Sequence, residues 1–393
     1  YKRLRQAMDH AKPDREKFRA AMQRNGSPSS DADYARVDFG GGHVCPFFGQ
    51  DGLCEVHRRF GDNHLGTVCR SYPRKLNARP GVRELSGYLS CPASARACLT
   101  DDQGLDLVQV TADVSGLPVA ALARGGEDAQ GFLDEIREVA FSVLDAREMP
   151  LAERLLLLGY LAQRLDAHGP LQQLSPAALA AEVDRISAPE TRQAVCGQLR
   201  AADPDLSLPM SLLQTVLLAK RESAWQGFRE LLAACWRGYA SMQPGAGMKL
   251  ELGAGRAAVQ ATELAAEYRA LRERADALYG ARLDDRLARW AMNHWFQTWF
   301  LKAPSMTGYV QDLVVRYAII RFLTVSHPAV RQLVEAEAPP EAAAETLDEA
   351  AIEVVYRFSR AVEHNQKFLT DIREAIEAEG LSGLALQLLL LRV

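Results

Sequence analysis

The chain contains no Cys-x2-Cys knuckle, no Cys-x3-Cys-x2-Cys triplet and no uncharged apolar run of 18 residues. The first absence argues against a zinc ribbon, the second against the cluster motif of radical enzymes, and the third against a membrane-spanning helix. His-Glu-x-x-His and Ser/His/Asp patterns are also missing, so hydrolysis has no support. Neither sign of charge dominates: the formal net charge is −4 over 393 residues, far from the basic footprint of a nucleic-acid binder. No secretion-type leader precedes the cysteines, and seven is an odd number. They are therefore read as reduced thiols in the cytoplasm.

What is present is unevenly placed. Five cysteines, Cys45, Cys54, Cys69, Cys91 and Cys98, fall in one stretch, and only Cys196 and Cys235 lie beyond it. Residues 1–104 carry a net +5 and residues 105–393 a net −9. The cysteine-rich part is therefore mildly basic and suited to an anionic ligand or partner. Residues 1–24 read as a helix ended by Asn25-Gly26-Ser27-Pro28. From Tyr34 to Cys98 the text is studded with Gly and Pro. It predicts two or three short strands and turns that lack the apolar periodicity for a core of their own.

After about residue 105 amphipathic runs at helical period follow one another. They cover 128–146, 150–167, 176–187, 189–201, 209–240, 256–277, 281–302, 306–326, 345–363 and 366–379. Breakers such as Ser175-Pro176, Ala188-Pro189 and Pro339-Pro340 separate several of them. The expected fold is mainly α. An N-terminal cysteine-rich loop domain, 1–104, packs on an irregular all-α body, 105–393.

Cys45, Cys54, Cys69 and Cys91 are separated by 8, 14 and 21 residues. Irregular spacing of this kind is compatible with an iron–sulfur cluster whose ligands come from separate loops. Zinc, or buried free thiols acting as small hydrophobes, remain alternatives. Cys98, on an apparent helix, reads as structural. His43, His57 and His64 flank the cysteines as possible substitute ligands. Trp290, Trp295, Phe296, Trp299 and Phe300 form a dense aromatic patch, either a helix–helix core or a wall for a bound cation. Leu250-Glu251-Leu252-Gly253-Ala254-Gly255 imitates a nucleotide-binding glycine loop. No strand and acidic residue follow at the required distance, so a Rossmann nucleotide-binding domain is not expected.

The ordered set Cys45-Pro46-Phe47-Phe48, Gly52-Leu53-Cys54, Val68-Cys69-Arg70-Ser71-Tyr72-Pro73-Arg74 and Leu89-Ser90-Cys91-Pro92 resembles the flagellin lysine-N-methylase family. The stretch from Asn293 to Leu323, with Leu313-Val314-Val315-Arg316-Tyr317-Ala318-Ile319-Ile320-Arg321, is similar too. So is Phe358-Ser359-Arg360-Ala361-Val362-Glu363-His364-Asn365. The resemblance implies methyl transfer from S-adenosylmethionine to surface lysines of flagellin, with a [4Fe–4S] cluster in the enzyme. Cys45, Cys54, Cys69 and Cys91 would be its ligands. The family carries a further cysteine-rich segment ahead of the position of Tyr1, so a ligand could lie there.

Arg70, Tyr72 and Arg74, beside Cys69, are the expected contacts of the methyl donor or of the cluster's negative charge. No catalytic residue is singled out. The expected partner is flagellin, with no role for nucleic acid or membrane. The rival expectation is a non-catalytic metal-binding or assembly protein whose cysteines only staple loops.

Overall fold

The computed structural model describes every residue except 29–33, 41–43, 80, 113, 115–116, 122–126, 203–204, 212, 214–224, 243–253, 301–302 and 364–382. Contacts divide the chain into two compact units. One is Tyr1–Gly87 with Gln109–Leu122, and the other is Tyr88–Val108 with Ala123–Val393.

The smaller unit begins with two short helices, α1 (Lys2–Met8) and α2 (Lys12–Ala21). The single helix expected over 1–24 is thus divided, and Met22 leaves it for strand β1 (Met22–Arg24), antiparallel to β2 (Ala35–Val37). Helices α3 (Glu55–Phe60) and α4 (Thr67–Ser71) follow, then the hairpin β3 (Arg74–Arg79) and β4 (Val82–Gly87). Gly81 in the connection has φ +74°, a left-handed conformation that glycine adopts without a Cβ clash. Strand β5 (Val119–Ala121) adds to β3 in parallel, pairing Leu76 with Val119.

This unit does have an apolar core, contrary to the expectation from its loops. Leu4, Met8, Phe18, Ala21, Phe47 and Val56 are buried together. Four of the six come from α1 and α2, where Leu4 and Met8 stand one helical turn apart and share a face. The loops contribute only Phe47 and Val56, so reading them alone missed the helices that complete the cluster.

The larger unit is all helical among its described residues. It comprises α5 (Pro92–Thr100), α6 (Glu127–Leu144), α7 (Leu151–Asp166), α8 (Pro176–Ser187), α9 (Pro189–Ala201) and α10 (Gln226–Arg237). It continues with α11 (Ala254–Gln297), α12 (Met306–Val325), α13 (Pro328–Glu335), α14 (Pro340–Phe358) and α15 (Gly383–Leu390). The mainly α expectation holds, and α8 and α9 occupy the expected ranges. Ser175 and Ser305 start α8 and α12 by accepting the amides of Ala178 and Gly308. Two expected helices, 256–277 and 281–302, are one helix of 44 residues, α11. Gly280 does not break it, because Arg272–Asp276 and Asp285–Arg289 pairs at i,i+4 support the helix on either side.

The segment Tyr88–Val108 groups with the helical unit, although the sequence suggested a boundary after residue 104. Helix α5 explains this, since it buries Ala95, Cys98 and Leu99 and contacts α11 and α14. Helix α12 is buried along most of its length. No single described helix is long and apolar enough to cross a membrane. The pair α12 and α13, bent by 57°, passes on length and composition only.

Candidate functional site

In the smaller unit the sequence folds back on itself between Cys45 and Cys54. The Phe48 amide donates to the Cys45 carbonyl at 2.9 Å, Gly49 to Leu53 at 2.8 Å, and Glu55 to Phe47 at 2.9 Å. Phe48 and Cys54 form an isolated antiparallel bridge. Cys45 and Cys54 are half-buried and pack against the apolar core described above. Cys54 then stands at the N-cap position of α3 without a side-chain capping bond, and Cys69 lies on α4.

Cys69 reaches the surface, yet its sulfur is partly desolvated. Burial first, then the charges of Cys45 and Cys54, push its thiol pKa up. Three thiols thus share one neighbourhood. Among the described residues, no group of three or more His, Cys, Asp or Glu is arranged to hold a metal ion. The three sulfurs are gathered without forming a ligand set. Cys91 belongs to the other unit, where it caps α5. His43 lies outside the described residues.

Of the expected donor contacts, Tyr72 and Arg74 are exposed and Arg70 is half-buried. Arg74 Nη2 donates to the Arg70 carbonyl at 2.7 Å, which ties the two ends of this short segment together.

In the helical unit Cys98 is buried. Its Sγ donates to the Arg289 carbonyl at 3.6 Å, and desolvation pushes its pKa up to about 12. It is inert as a nucleophile. The aromatic patch is core except for Phe296, which is half-buried. Trp290, Trp295, Trp299 and Phe300 are all buried, and Tyr309 packs edge-on against Trp295 with centroids 4.9 Å apart. The glycine-loop imitation at 250–255 lies mostly outside the described residues, as do His364 and Asn365.

A feature the sequence reading missed is a cleft of about 930 Å³ in the helical unit, lined by residues of α7, α9, α11 and α12, by Asp102 after α5, by the loop between α6 and α7, and by Leu391, Arg392 and Val393 after α15. Arg321 and Tyr317, from the stretch that resembles the methylase family, lie at its inner wall. Arg321 pairs with Asp276 and, at 3.4 Å, with Asp284. Burial works against the Arg321 charge, but the surrounding groups outweigh it and hold the guanidinium above its ordinary range. Asp284 also accepts the Leu151 amide at 3.0 Å. Burial pushes the Tyr317 pKa up, so its hydroxyl stays neutral.

Along the rim Arg200 grips Glu153 through two bonds of 2.7 Å. Arg282 and Arg286 share Asp348 from α14. Spacing on α11 contained the signal. Asp276, Arg282, Asp284, Asp285, Arg286 and Arg289 crowd 14 consecutive positions, more alternating charge than a surface stripe needs. Which of these charges face inward was not legible without α7 and α12.

The family model for the FliB lysine N-methylase C-terminal domain matches residues 137–390. Neither a curated protein nor a solved structure matches the chain. The matched range covers most of the chain and nearly all of the helical unit, including the cleft's wall on α11 and α12. The chain therefore belongs to the FliB lysine N-methylase family.

Proposed function

We propose that the chain transfers methyl groups from S-adenosylmethionine to lysine side chains of flagellin, in the cytoplasm. The observation that supports this is the family match over residues 137–390, which supply most of the lining of the charged, ligand-sized cleft. Its volume lies in the range of small-molecule sites.

The chemistry is a displacement. The lysine Nζ attacks the methyl carbon, the N–C bond forms, the S–CH3 bond breaks, and S-adenosylhomocysteine leaves. The lysine must first lose a proton, because only the neutral amine carries the lone pair, and its ordinary pKa is about 10.4. A cleft rich in guanidinium groups favours that loss, since a second cation nearby is repelled. Asp284 and Asp285, paired with Arg321 and Arg286 respectively, are carboxylates within the cleft. Either could take the released proton directly or through water.

The cluster implied by the family resemblance is proposed for the neighbourhood of Cys45, Cys54 and Cys69, with Cys91 as the fourth expected ligand. The proximity of the first three thiols supports the location. The residues as arranged do not fit a metal, so no step of the reaction is assigned to it. Arg70, Tyr72 and Arg74 are proposed to meet the donor or the cluster's charge beside Cys69. The packing of Cys45 and Cys54 against apolar side chains favours a second reading, in which these thiols only staple the loops of a non-catalytic protein.

Incubating the purified protein with flagellin and methyl-labelled S-adenosylmethionine decides between the readings. Label is expected on flagellin lysines, located by peptide mass spectrometry. A folded protein that transfers none under these conditions would leave the stapling reading.

A further inference from the structure

The cleft carries more positive charge than its carboxylates neutralise. Nine arginines line it against six carboxylates, and no lysine or histidine joins them. Asp348, clamped by Arg282 and Arg286, and Asp145, 3.4 Å from Arg147, add two more negative charges just outside the lining. The surplus can be traced to particular residues. Arg154, nearly buried, spends its bonds on the carbonyls of Leu144 at 2.8 Å and Met149 at 2.7 Å. Arg289 donates to the Asp101 carbonyl at 2.8 Å and Arg272 to that of Arg392. A carbonyl accepts a hydrogen bond without cancelling a unit charge. The nearest carboxylates do so only in part. Asp285 is 3.4 Å from Arg289 and shared with Arg286 and Arg147. Asp276 is 3.9 Å from Arg272 and already engaged by Arg321. Glu273, 3.8 Å from Arg272, is mostly exposed and contributes little.

A concave site with walls of low dielectric focuses such a surplus. Guanidinium groups match the planar, two-oxygen geometry of a carboxylate or a phosphate. Tyr317 adds a neutral hydroxyl to the lining. We infer that this cleft is an oxyanion-binding site, with Arg272 and Arg289 as its principal charges, for a ligand of metabolite size that carries a carboxylate or a phosphate. The methylase reading supplies one source, the amino-acid carboxylate of the methyl donor. The inference rests on that reading for the identity of the ligand only. The other source is a free phosphate compound.

The test is calorimetry on the whole chain at low salt with S-adenosylhomocysteine, with 5′-methylthioadenosine, which has no carboxylate, and with inorganic phosphate. At least one oxyanion is expected to bind. Arg272→Gln and Arg289→Gln should each weaken that binding about tenfold or more, as loss of a charged hydrogen-bond partner does. Circular dichroism confirms that the variants fold. Should either fail to fold, Asp285→Asn gives the opposite readout, since removing a competing carboxylate should tighten binding. Binding of S-adenosylhomocysteine but not of 5′-methylthioadenosine identifies the donor carboxylate. Binding of phosphate alone keeps the oxyanion site and removes the donor from it, whatever the flagellin assay shows. If neither oxyanion binds, or if affinity is unchanged in all three variants, the inference is overturned.

Discussion

Arg321 of α12 reaches across to Asp284 of α11 at 3.4 Å, with side chains 8% and 16% exposed. The same guanidinium holds Asp276, about two helical turns away on the same helix, so a single cation ties two helices at the inner wall of the cleft. Removing Arg321 leaves the largely buried Asp284 carboxylate without its cation. Arg321→Met is expected to destabilise the protein by about 3–5 kcal/mol, measured by urea denaturation. A loss well under 1 kcal/mol would mean that water reaches Asp284.

Glu182 offers a test by pH. Its carboxylate accepts from Arg164, His168 and Arg185 at 2.8–3.0 Å and is almost fully buried. The Arg164 hydrogen bonds, opposed by burial and joined by His168 and Arg185, bring its pKa down to about 2 from 4.5. A folded value below the unfolded one gives stability that is complete above about pH 4.5 and lost as pH falls toward 2. The difference corresponds to about 3 kcal/mol. Glu182→Gln should therefore lower stability at pH 7 and flatten the acid limb of the stability profile. An unchanged acid limb in the variant would contradict this.

Gly159 on α7 marks a close approach to α15. A Cβ at this position would stand 1.6 Å from Gln387 Oε1, deep in the helical unit where Gln387 is fully buried. Gly159→Ala should cost about 1–3 kcal/mol through overpacking, seen as a lower melting temperature. A melting temperature equal to or above that of the parent would show that Gln387 can move aside.

Metal content tests the cluster proposed from the family resemblance. If the proposed cluster is present, Cys69→Ala is expected to lower the iron content of the protein, assayed by elemental analysis and by absorbance near 400 nm. Iron content equal to that of the parent would remove Cys69 from the ligand set.

Arg74→Ala should weaken S-adenosylhomocysteine binding with the fold intact, because the side chain is exposed and its one described hydrogen bond is local. If affinity stays unchanged in this variant but falls in Arg289→Gln, the donor carboxylate belongs to the helical unit and not to the segment beside Cys69.

Much of the fold was legible because helical periodicity is local. The runs at 176–187 and 189–201 begin at Ser175-Pro176 and Ala188-Pro189, and α8 and α9 start there. Periodicity could not show that α11 runs unbroken through Gly280. A glycine's cost within a helix is small enough for flanking ion pairs to offset it. Nor could it show that Leu4, Met8 and Phe18 complete a core with Phe47 and Val56, since that cluster joins residues far apart in the chain.

For this protein the order of residues alone determined the helical class, the gathering of cysteines in the first hundred positions and the kinship with lysine methylases. All of these are carried by short motifs and local spacing. Tertiary structure decided that the tryptophans of α11 are core and not a binding wall. It also decided that the arginines and aspartates of α11 meet Arg321 around a cleft. Whether a charge faces water or a neighbouring helix depends on packing between distant segments, and local spacing does not encode that.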